Sequence, residues 1–167
     1  VLAVDTATRS GWAVGAAVAS QDEVLCFGEA DTLDSEALGQ IVRWAWCNAQ
    51  ARRLPLVLVL EAPFGGTVPM LLGLGAARER WMVAWRQAGL PNAQVVRVQP
   101  SEWRAQVLGR RWARAPRAQV RAHEQWTASG LVGERVRADE AAAILIARWA
   151  SRAAKVGAVL PAARRTR

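Results

Sequence analysis

Apolar and polar positions along this chain fall into blocks of two periods. The opening stretch, VLAVDTATRSGWAV, is apolar up to Asp5. It then crosses a small-residue turn carrying Thr6, Thr8 and Ser10, and becomes apolar again at Gly11 and Trp12. We read residues 1–5 as a buried strand, 11–19 as a second and 23–28 as a third, with the polar Ser20-Gln21-Asp22 turn between the last two. In DTLDSEALGQIVRWAWCNAQARR, Leu38, Ile41, Val42 and Ala45 recur at helical spacing behind a cap at Asp34 or Ser35. PLVLVLEAP, from Pro55, is apolar on both faces up to Glu61, as a central sheet strand requires. A loop, FGGTV, leads to Pro69, which suits the first turn of a long helix over 69–88, broken by Gly89-Leu90-Pro91. Residues 94–98 form another strand and 102–107 a short helix. Residues 109–115, GRRWARA, form a basic loop, and 116–127 a helix. Residues 129–137 read as loop, and 138–153 as a last helix.

The order of strands and helices predicts an α/β fold. It is a five-stranded mixed sheet with helices on both faces, its first three strands an antiparallel meander and its helix-linked strands parallel. At 167 residues the chain is long enough for one domain, expected over 1–160, followed by a basic, mobile tail at 161–167. No apolar run approaches the roughly 18 residues of a membrane span, and no membrane association is expected. Residues 1–5 are too short and too uncharged for a signal peptide, so a cytoplasmic setting is expected. Cys26 and Cys47 lack metal-ligand spacing and are read as buried free thiols.

Charge changes this picture. Of a net +8, residues 1–96 carry 7 basic and 9 acidic side chains, whereas 97–167 carry 15 basic and 5 acidic. Every cation but Lys155 is arginine, whose fork matches phosphate oxygens, so a polyanion partner fits the second half. GC-rich coding would explain arginine over lysine but not this asymmetry. Against that background two apolar strands end on acids, Asp5 and Glu61. A third acid, Asp139, opens the last helix, where a helix N-terminus favours a carboxylate. Carboxylates brought together are costly unless a cation neutralises them, and oxygen-only ligands suit Mg²⁺ or Mn²⁺. Paired ions of this kind clamp the attacking water and the leaving oxygen of a phosphodiester.

These residues resemble a family. VLAVDTATRSGWAV is similar to the first acidic strand of the RuvC-like Holliday junction resolvases of the RNase H-like superfamily. LVLVLEAPF resembles their second, in which the acid is followed three residues later by Phe. LGAARERW, VQPSEWRAQVLG, APRAQVRAHEQW and ADEAAAILIA resemble further segments of the family, in order, across 1–150. The resemblance implies an RNase H-like fold and a homodimeric crossover junction endonuclease of DNA recombination and repair. It would nick four-way DNA junctions symmetrically, with two Mg²⁺ (or Mn²⁺) ions per site and a 5′-phosphate and 3′-hydroxyl as products. A helicase partner is not defined. Asp5, Glu61 and Asp139 would ligate metal, and Thr6, Thr8, Arg9 and Ser10 would lie by the scissile phosphate. Phe64 would wedge against bases at the junction centre. Arg104 and Arg117 stand where the family carries DNA-contacting lysines, and Arg110, Arg111, Trp112 and Arg114 of the basic loop are expected to contact DNA, with Trp112 placed to stack on bases.

The chain departs from the pattern in three places. The family's last helix carries two acids three residues apart, and the second falls on Ala142. Glu140 lies about 100° round the helix from Asp139 and does not replace it. The glycine after the first acid is replaced by Thr6-Ala7, and the basic loop is longer. With Ala142 in place the expectation is junction binding with slow or no cleavage, in an active-site variant or a naturally divergent member. Two other readings stand beside this one. One is an RNase H-like nuclease of the YqgF-like RNA-processing kind, the other a non-catalytic junction-binding protein. His123 is read as surface or packing, and Trp81 and Trp85, four apart, as core or subunit interface.

Overall fold

A computed structural model describes residues 1–18, 21–62 and 66–155 of the chain. Three strands, β1 (Leu2–Asp5), β2 (Arg9–Val18) and β3 (Gln21–Asp31), are followed by helix α1 (Ser35–Ala51). Then come β4 (Leu58–Glu61), α2 (Val68–Gln87), β5 (Val95–Val98), α3 (Pro100–Val107), α4 (Arg117–Val132) and α5 (Ala138–Lys155). The sheet order is β3-β2-β1-β4-β5. β1–β2 and β2–β3 pair antiparallel, while β1–β4 and β4–β5 pair parallel. This is the expected mixed sheet with its antiparallel meander.

Period-2 alternation in the central strands builds two cores. Ala3 and Val59 face one side with Ala13, Val98, Trp103 and the buried stretch of α5 from Ala141 to Ala147. Leu2, Val4, Leu58 and Leu60 face the other, against Leu38 and Val42 of α1 and Trp81 and Trp85 of α2. Trp81 and Trp85 are fully buried, so they belong to the core.

Several boundaries move. β2 and β3 are longer than the apolar runs, because their ladder continues through polar residues from Arg9↔Asp31 to Val18↔Gln21. β4 starts at Leu58 rather than at Pro55. The α1 cap is Asp34, whose Oδ1 accepts from the Ala37 N–H at 2.9 Å. α3 begins at Pro100 behind a capping box formed by Gln99 and Glu102. Arg110–Arg114 is a 3-10 turn rather than an open loop. α4 runs through Ser129 to Val132 and stops at Gly133, which takes the left-handed conformation at φ 78°. Cys47 is exposed and Cys26 half-buried, so neither thiol is fully buried as expected. The tail at 161–167 lies outside the described residues, and none of the described helices is long and apolar enough to cross a membrane.

Candidate active site

Strand register alone brings the first two acids together. β1 and β4 pair as Leu2↔Leu58, Ala3↔Val59 and Val4↔Leu60. The next position in that register sets Asp5 beside Glu61. Both lie two residues beyond Ala3 and Val59, so both point to the α5 face. Their carboxyls are close enough to hydrogen-bond to each other. Across the same sheet Asp5 pairs with Gly11 of β2. A Cβ at Gly11 would overlap the main-chain carbonyl of Asp139, so the first turn of α5 rests directly on that glycine. A β-branched or even an alanine residue at 11 would lift the helix start, and Asp139 with it, off the sheet.

The three acids line one cavity of about 500 Å³. Arg104 from α3, Arg117, Arg121 and Glu124 from α4, and Ala142 from α5 share its wall. Glu61 is held by Trp103, whose indole N–H donates to its Oε1 at 2.7 Å. Arg104 Nε donates to Glu124 Oε1 at 2.6 Å, and its Nη2 lies 3.9 Å from Glu61 Oε1. Arg121 Nη2 stands 4.0 Å from Asp139 Oδ1. Burial first, then the charge and hydrogen bond of Glu61 and the charge of Asp139, hold the Asp5 carboxyl well above the ordinary aspartate range; Arg104 offsets only part. Burial also raises the Glu124 carboxyl, against the opposing pull of Arg104.

The donor set bears directly on metal binding. Two carboxyls in hydrogen-bond contact are stable only with a shared proton or a cation between them. All the donors are oxygens, which fits Mg²⁺ or Mn²⁺. Among the described residues no three of His, Cys, Asp and Glu stand in a metal-ligating arrangement. The adjacent carboxyls of Asp5 and Glu61 fit the way Mg²⁺ is commonly held, by one or two carboxylates with waters and substrate phosphate completing the shell.

The remaining sequence candidates divide. Ala142 is buried and lines the cavity, with no carboxylate at that position. Glu140 turns away and accepts from the Arg137 N–H at 2.7 Å, closing the helix start. Thr6 is buried and donates to the Glu61 carbonyl at 3.0 Å. Ser10, fully buried, donates to the Ala7 carbonyl and accepts from its N–H. These hydroxyls brace the turn behind Asp5. Thr8 is exposed, and its carbonyl accepts from Thr32. Arg9 is exposed and sits 3.6 Å from Glu29. Arg110 and Arg111 are exposed, while Trp112 is half-buried with one face on the His123 ring at 4.0 Å and with Arg111 5.4 Å from its centroid. His123 packs in turn against Trp126, so its role is packing, as expected. Phe64 and the Arg114 side chain lie outside the described residues.

Two residues went unnoticed in the sequence. Trp103 carries no pattern that points to Glu61. Glu124 had a signal: with Arg117, Val120 and Arg121 it sits at i, i+3, i+4, i+7, an acid on the stripe that faces inward.

No protein-family model and no curated protein sequence matches the chain. Among solved structures, Thermus thermophilus RuvC superposes with a TM-score of 0.67 at 20% identity, covering 95% of this chain and 97% of its own. The chain has the RuvC fold. The T. thermophilus protein in complex with Holliday junction substrate gives 0.66 at 18% identity over the same shares. The yeast mitochondrial Holliday junction resolvase gives 0.46 at 13%, covering 94% of this chain and 82% of its own. In this RuvC-like fold, the three acid-bearing segments of the resemblance sit on β1, β4 and α5 and meet at the cavity.

Proposed function

We propose that the chain is a structure-selective DNA endonuclease that acts on four-way junctions as a homodimer, with Mg²⁺ or Mn²⁺ held at Asp5 and Glu61 and with Asp139 alongside. The observation that carries this reading is the convergence of three carboxylates from β1, β4 and α5 in one arginine-walled cavity. A polyanion is the natural occupant of such a wall, since Arg117 is exposed at its rim and forks match phosphate oxygens. The solved RuvC complex with Holliday junction substrate shares the fold, which supports a junction over plain duplex.

When bound, the ion supplies charge neutralisation at the phosphate and a more acidic water. The chain's residues do the rest. Asp5 must release the proton that burial and Glu61 favour before it can serve as a ligand. Trp103 fixes one Glu61 oxygen and so leaves the other to face Asp5. Arg104, Arg117 and Arg121 orient the phosphate. The result is hydrolysis to a 5′-phosphate and a 3′-hydroxyl. Resolution needs two symmetric nicks, which a two-fold dimer supplies. The exposed apolar start of α2, with Val68, Met70, Leu71 and Leu72, is its proposed interface.

One observation favours a second reading, a junction-binding protein without catalysis: Ala142 leaves the α5 wall of the cavity without a second acid. Competition binding with excess EDTA tests the main reading first. A labelled four-way junction is expected to resist an excess of linear duplex of the same sequence, and equal competition by duplex or by structured RNA would overturn it. Adding Mg²⁺ then separates the two readings. Slow nicking by the chain, raised at least about tenfold in Ala142→Asp with affinity unchanged, is expected, a barrier lower by roughly 1.4 kcal/mol. Binding without nicking in both proteins would favour the non-catalytic reading.

A further inference from the structure

Glu124 has no place in the acid pattern of β1, β4 and α5, yet it is the only acid among the described residues to be buried to 2% exposure. It spends that burial on one contact. Its Oε1 takes the Arg104 Nε proton at 2.6 Å. A guanidinium gripped at Nε has its two Nη groups directed elsewhere, and one of them, Nη2, lies 3.9 Å from Glu61 Oε1 inside the cavity. The Trp103 ring supports the same guanidinium from the side, 4.9 Å from its centroid. A positive charge is thus built into the cavity wall beside the Asp5–Glu61 pair. The carboxylate inventory agrees. Asp139 has Arg121 at 4.0 Å, whereas Arg104 is the cation that serves both Glu124 and the Asp5–Glu61 pair. Ala142 adds no charge on the remaining side.

We infer that Arg104, fixed in place by Glu124, is the second cation of this site, so that each chain takes one divalent ion rather than two. Glu124 acts as a positioning residue through Arg104 and does not touch the ion. The inference rests on the metal-dependent reading of the cavity. Arginine is suited to this work because it stays charged at every accessible pH and its fork stabilises phosphate charge as it develops. It also removes the electrostatic room for a further dication, which would have to displace a guanidinium held in a buried pair.

Counting ions tests this without any cleavage assay. Mn²⁺ alone is titrated into the full chain. Free Mn²⁺ is read by electron paramagnetic resonance, and folding of each variant is checked by circular dichroism. The chain is expected to bind one Mn²⁺. Arg104→Gln frees Glu61 and Glu124 and is expected to bind two. Glu124→Gln keeps a hydrogen-bond acceptor for Nε and is expected to stay at one. Two ions on the unmodified chain would overturn the inference while leaving the metal-dependent reading intact. So would a single ion on folded Arg104→Gln. No Mn²⁺ bound by the unmodified chain at millimolar concentration would overturn both. Should Arg104→Gln fail to fold, the count on the unmodified chain still decides.

Discussion

Asp5 shows how one residue joins stability to chemistry in this chain. It ends an apolar strand, faces the α5 side beside Glu61, and is buried enough that its carboxyl favours the protonated form. A group whose folded pKa is raised makes the folded state bind more protons than the unfolded chain, so stability falls as pH rises above the unfolded value of 3.8. Glu124 contributes with the same sign. The metal-free protein is therefore expected to lose thermal stability as pH is raised from about 4 through the folded pKa of Asp5. Asp5→Asn removes that dependence and keeps a hydrogen bond to Glu61. Its melting midpoint at neutral pH in EDTA should exceed that of the unmodified chain, by about 2–4 °C for each kcal/mol of relieved repulsion in a chain of this size. A midpoint at or below the original, or an unchanged pH slope, would mean that Asp5 is not under electrostatic load. The same substitution should abolish nicking, a trade of activity for stability of the kind found where a site is built from mutually repelling groups.

At the scale of elements, the decisive contact is α5 on β2 at Gly11. Helix α5 is the most deeply buried of the helices, with Ala141 through Ala147 all in the core, and its first turn carries Asp139. Gly11→Ala would push that turn outward. We expect a stability loss of about 1–3 kcal/mol from overpacking. We also expect a fall in cleavage of about 100-fold from a displacement on the order of 1 Å. Urea denaturation and single-turnover nicking measure the two effects, and a variant as stable and as fast as the original would show that the helix start can shift freely. This contact also shows what a sequence reveals. The strands, their ends on Asp5 and Glu61 and the helix that starts at Asp139 were legible, because burial of both faces leaves long apolar runs and acids stand out against them. The antiparallel meander and the parallel pairing of the helix-linked strands followed from connection rules. Glycine 11 read only as a strand start, since a residue chosen for the absence of a Cβ leaves no positive signal. Trp103 and Glu124 were missed for a related reason: their partners are 42 and 20 residues away in the chain. The 3-10 turn at Arg110–Arg114 read as a loop because runs this short carry no repeating apolar position.

For the whole molecule, the uneven charge and the exposed apolar start of α2 bear on assembly. Val68 and Leu72 are each 70% exposed on a helix whose second half is buried through Trp81 and Trp85. Leu72→Glu is expected to convert the proposed dimer to a monomer in light scattering at micromolar concentration, without loss of helical content. A chain that is monomeric before the change, with and without junction DNA, would place the two-fold elsewhere or remove it. The central claim concerns what the assembled site does, and end-labelled strand mapping on a four-way junction with Mg²⁺ tests it most directly. The prediction is a pair of slow, symmetry-related nicks ending in 5′-phosphates, absent in Asp5→Asn and Glu61→Gln variants that still bind the junction. Nicks that persist in both acid variants, or a nick pattern no different on linear duplex, would contradict it.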